Sequence, residues 1–138
     1  MSDEKKIDSI AAILLGFSRR VTSNFDANQD CETRRRFMFY ISGVVFALND
    51  MLNASPELRY FMTTRALTIG VPNNFPFADC QIINFSENKA VEHIKYVGSG
   101  EWTDLERSIS SQGIHDIQQY VLNDNNDVTD NFYYRFVA

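Results

Sequence analysis

Ile7, Ile10, Leu14, Phe17 and Val21 recur at steps of three and four along the chain, the period of one face of a helix. The polar stretch from Asp26 to Asp30 ends that repeat, and a second set follows: Phe37, Ile41, Val44, Leu48 and Met51, with a parallel stripe through Met38, Val45 and Leu52. Two apolar stripes on one helix make a wide buried face, so the second helix is predicted to be central. The short connection predicts that the pair lie antiparallel, with their stripes facing in one seam.

A third helix is punctuated by Ser55 as N-cap, Pro56 at the first helical position, Glu57 in the first turn and Gly70 just past its end. Its apolar face runs through Leu58, Phe61 or Met62, Ala66 and Ile69. Two prolines between Val71 and Phe77 require an irregular or extended segment, and the alternation from Ala78 to Phe85 reads as a strand. Residues 86–97 suit a helix capped by Ser86 and ended by Gly98, or a strand through His93 to Val97, equally well. Thr103-Asp104-Leu105-Glu106 is a capping box that opens a helix running to about Gln112, with Gly113 at its end. Ile114, Ile117, Tyr120 and Val121 mark a further short helical face, Asn123 to Asn131 a polar loop, and Phe132 to Val137 a final alternating strand. The expected fold is therefore α+β and mainly helical: an antiparallel helical hairpin, a third helix, and a small strand-containing C-terminal half.

Length changes this picture little. The 138 residues suit one domain spanning the whole chain, and 44% apolar residues supply a core without staples. Cys31 and Cys80 are too few and too far apart for a disulfide framework or a metal spacing, which favours reduced thiols and a cytoplasmic setting. Lys5 and Lys6 before the apolar stretch Ile10 to Phe17 imitate a signal peptide, but Asp8 interrupts its entry and no small-residue cleavage pattern follows. The most apolar run, Phe37 to Leu48, is too short to span a bilayer.

Charge is uneven. Residues 1–69 carry nine Lys/Arg against eight Asp/Glu, whereas residues 70–138 carry four against ten. An acidic back half suits a basic protein partner and argues against a general nucleic-acid binder.

The local anomaly is a set of arginines. Arg19 and Arg20 close the first apolar repeat, and Arg34, Arg35 and Arg36 open the second helix, where cations oppose the helix macrodipole. Beside Tyr40 and its neighbouring rings, these guanidinium groups form a candidate site for a phosphate-bearing ligand, nucleotide or nucleic acid. The alternative is local pairing with Asp26, Asp30 and Glu32. No catalytic motif is present, and the one nucleophile–base set that can be drawn, Cys80 with His115 and Asp116, needs distant segments brought together. Asp124, Asp127 and Asp130 share a loop that lacks the turn glycine and closing glutamate of a calcium site, so no metal or cofactor is expected. Aromatic residues suited to interface anchoring, Phe75, Phe77, Trp102, Tyr133 and Tyr134, point instead to a non-enzymatic factor that binds a partner protein. An inhibitor, adaptor or immunity-type role fits that reading, and the C-terminal strand, as an edge, would also serve a homodimer.

Overall fold

The computed structural model describes residues 3–26, 29–53 and 103–138. The predicted helix at 55–70, the strand at 78–85, the undecided segment 86–97, and Phe75, Phe77, Cys80 and Trp102 all lie outside these residues.

Helix α1 spans Asp3–Val21, and its Leu14, Phe17 and Val21 are buried as one stripe. Arg19 and Arg20 occupy its last turn, where positive charge complements the dipole. The helix tightens into a 3₁₀ turn at Thr22–Asn24, in which the Thr22 hydroxyl donates to the Ser18 carbonyl at 2.8 Å. Phe25 then takes extended backbone and turns the chain towards α2.

Helix α2 spans Cys31–Met51. Asp30 is its N-cap, accepting from the Thr33 amide at 2.7 Å. From Phe39 to Asn49 nearly every side chain is buried, as a helix surrounded by other elements requires. Asn53, with φ 53°, takes the left-handed conformation just after the helix, and its amide returns to the Asp50 carbonyl at 3.1 Å.

Helix α3 spans Asp104–Leu122 and opens with the predicted capping box: Thr103 Oγ1 accepts from the Glu106 amide at 3.1 Å, and Glu106 Oε1 accepts from the Thr103 amide at 3.0 Å. Gly113 does not end it. A Cβ at Gly113 would collide with the Tyr40 carbonyl oxygen, and one at Gly43 with the Ser110 carbonyl oxygen. Both glycines therefore serve a backbone-to-backbone crossing of α2 and α3, and Gly113 is tolerated inside the helix because packing outweighs its propensity cost of about 1 kcal/mol. The extensive seam of α2 is with α3. Helix α1 meets α2 more locally, through Phe17 stacked on Tyr40 at 6.2 Å, and reaches α3 where Phe17 meets Tyr120 edge-on at 5.2 Å.

The expected C-terminal strand is corrected. The polar loop winds into a 3₁₀ turn at Asn126–Asp130, with Val128 and Thr129 buried, and runs straight into helix α4, Asn131–Phe136. No strand occurs among the described residues, so the α+β expectation gives way to a helical fold there. Apolar and aromatic side chains dominate Phe132 to Val137, which leaves little periodicity to separate strand from helix. The informative pair is Phe132 and Phe136, four apart, with ring centroids 6.0 Å from each other. Phe132 is fully buried and also meets Tyr40 at 4.9 Å, Phe37 at 5.6 Å and Phe25 at 5.5 Å. Among the described residues no helix is long and apolar enough to cross a membrane.

Candidate ligand groove between the third and fourth helices

Arg35 and Arg36, at the start of α2, are held by the protein itself. Arg35 Nη2 donates to Glu106 Oε2 at 2.8 Å, and its guanidinium lies 5.3 Å from the Phe39 ring centroid. Glu106 thus closes the capping box with one oxygen and binds α2 with the other. Arg36 Nε donates to Glu32 at 2.9 Å, and Arg36 Nη1 to the Phe136 carbonyl at 2.9 Å. The opposed dipole at this terminus is offset by Asp30 and Glu32 together. Of the pairing partners raised by the sequence, Glu32 takes this role for Arg36, while Asp30 caps the helix. That hydrogen bond from the Thr33 amide holds the Asp30 carboxyl below its ordinary value. Arg19 and Arg20 are exposed on α1.

Tyr40 faces the interior, with its ring buried beside Phe17 and Phe132. Its hydroxyl donates to Asp116 Oδ2 at 2.6 Å. Burial first, and the adjacent Asp116 second, push the Tyr40 phenol well above the usual tyrosine value. The sequence placed Tyr40 in a ligand set; the fold gives its hydroxyl to a buried carboxyl instead.

Asp116 is fully buried and is the hub of a polar network. Its Oδ1 accepts from Gln112 Nε2 at 2.6 Å and from Asn131 Nδ2 at 2.8 Å, and lies 3.2 Å from His115 Nδ1. Adjacent residues ordinarily diverge on a helix, yet here the Asp116 carboxyl meets the ring of its neighbour. Gln112 is itself buried, and its Oε1 accepts from Arg135 Nη1. A continuous line of hydrogen bonds therefore runs from Tyr40 in the core, through Asp116 and Gln112, to an arginine at the surface.

That arginine borders a groove of about 350 Å³, lined by Ser108, Ser111, Gln112, His115, Asn131 and Arg135. The lining has a simple origin. Ser108, Ser111, Gln112 and His115 stand at i, i+3, i+4 and i+7 on α3, and Asn131 and Arg135 at i and i+4 on α4. Each helix presents one polar stripe to the other. His115 is more than half exposed, with its Nδ1 occupied by Asp116. The sequence reading singled out His115 and Asp116 but missed Ser108, Ser111, Gln112, Asn131 and Arg135. Their spacing becomes legible only when α3 continues through Gly113 and the C-terminal run is helical.

The predicted interface residues separate. Tyr133 is half-buried, stacked on Phe25 at 5.7 Å, whereas Tyr134 is 69% exposed on α4. Compared with protein-family models, curated proteins and solved structures, the chain matches none.

Proposed function

We propose that the chain is a non-catalytic interaction or regulatory factor, of inhibitor, adaptor or immunity type, that engages a protein partner through the face formed by α3 and α4. The observation that carries this reading is the hydrogen-bonded line from Tyr40 to Arg135. A buried polar network orients a surface guanidinium over a groove, which lowers the ordering cost of any contact it makes. On the same short helix Tyr134 holds its ring in solvent, the arrangement in which tyrosine serves as a rigid interface anchor. An acidic C-terminal half supplies attraction for a partner with a basic rim.

The test is site-specific photo-crosslinking in the protein's own cells, with Tyr134→p-benzoylphenylalanine against the same probe at the exposed α1 position Asp8. A discrete adduct from position 134, absent from position 8 and lost on adding Arg135→Ala, is expected. Equal or absent adducts at the two positions would count decisively against the reading.

A further inference from the structure

We propose that the groove between α3 and α4 receives an oxyanion, the carboxylate or phosphate group of its ligand, with Arg135 as the principal contact. The inference rests on the α3–α4 face being the binding face and names the chemistry it recognises.

Arg135 is the one formally cationic side chain among the groove's lining arginine and lysine positions. Among the described residues its protein contact is a single hydrogen bond, from Nη1 to the neutral Gln112 oxygen, and it forms no salt bridge. In that it differs from Arg35, Arg36 and Arg107, each of which has a carboxylate. With Nη1 occupied, the edge formed by Nε and Nη2 remains for a forked pair of bonds to two oxygens of one anion. The hydroxyls of Ser108 and Ser111 have no hydrogen-bond partner among the described residues and add two neutral donors from the opposite wall. Asp116 would repel an anion if it lined the groove, but it lies beneath the lining, fully buried, with its oxygens covered by Tyr40, Gln112, Asn131 and His115. The cavity exceeds what an oxyanion alone needs, so the rest of the ligand can enter with it.

Titrating the full ¹⁵N-labelled chain with inorganic phosphate and, separately, with acetate, each against sodium chloride at matched ionic strength, tests the assignment. Saturable amide and Arg135 Nε–H shifts confined to residues 108–115 and 131–135 are expected, with a dissociation constant on the order of millimolar for so small a probe. Arg135→Gln should weaken binding about tenfold. The exposed pair Ser108→Ala and Ser111→Ala should weaken it several-fold without touching the buried network. Tighter phosphate identifies a phosphorylated ligand, and tighter acetate a carboxylate. Shifts that chloride reproduces, that gather at Arg19 and Arg20, or that survive both variants would overturn the proposal. An inert groove beside persisting cross-links at position 134 would remove the anion and leave the partner-binding face standing.

Discussion

Tyr40 and Asp116 illustrate how one buried pair sets a pH dependence. Removing the phenol hydroxyl by Tyr40→Phe deprives Asp116 Oδ2 of its donor at 2.6 Å. This should cost about 1–3 kcal/mol, the range for leaving a buried polar group without its partner. The folded phenol is raised above the ordinary tyrosine value, so the folded chain keeps this proton more tightly than the unfolded chain does. The stabilisation is complete below about pH 10 and declines as pH rises towards the folded value, because the unfolded chain releases its proton first. The gap between wild type and Tyr40→Phe in urea midpoints should therefore narrow above pH 10. A gap that stayed constant from pH 7 to 10.5 would show that the phenol is not held by this environment. Asp30 has the opposite sign: its depressed carboxyl supports the fold above its ordinary value, and that support fades as acid protonates it. Asp30→Asn keeps a competent cap and should flatten the acid limb of the stability profile.

At the scale of elements, three glycines separate helix propensity from packing. Gly16, Gly43 and Gly113 all lie inside helices, where alanine ordinarily gains about 1 kcal/mol. Among the described residues a Cβ at Gly16 would meet only the Tyr120 hydroxyl, at 3.8 Å, so Gly16→Ala should stabilise the chain by up to that amount. At Gly43 and Gly113 the obstacle is a carbonyl of the opposing helix. Neither backbone can yield without spreading the whole crossing, and each alanine should cost roughly 1–3 kcal/mol or more. Denaturant midpoints of the three variants decide it, and a stabilised Gly113→Ala would mean that the helices do not touch there. The same glycine explains what the sequence concealed. Helices α1 and α2 are legible from their stripes, and the start of α3 from the Thr103–Glu106 box. At Gly113, a local stop signal and a close-approach residue are identical, and only the partner helix distinguishes them. Phe132 to Val137 failed for a related reason, since a short run in which four of six residues are aromatic leaves no clear polar face from which to read a period. The groove inherited both ambiguities, because its lining spans the glycine on α3 and the misread helix α4.

For the molecule as a whole, one aromatic side chain ties the elements together. Phe132 of α4 contacts Phe25 after α1 and both Phe37 and Tyr40 of α2. Phe132→Ala should cost about 3–5 kcal/mol, and far-UV and near-UV circular dichroism should report the same lowered midpoint, because these helices share one interior. Separate midpoints for the two signals would show that α4 melts on its own. Long-range hydrogen bonds point the same way, since Arg35 and Arg36 in the N-terminal third donate to the Glu106 carboxylate and to the Phe136 carbonyl near the C-terminus.

The Gly43–Gly113 crossing also bears on how the chain is made. Helix α2 is complete at Met51, yet the surface that fits it belongs to α3, which begins at Asp104. During synthesis, at about 5–20 residues per second, α2 leaves the ribosome several seconds before its partner exists. Through that interval its apolar sides are uncovered by α3, and they are the part of the newborn chain on which holding chaperones would be expected to act. Ribosome-stalled chains ending before and after α3 should differ in their capture by such factors, with release following emergence of the helix that carries Gly113.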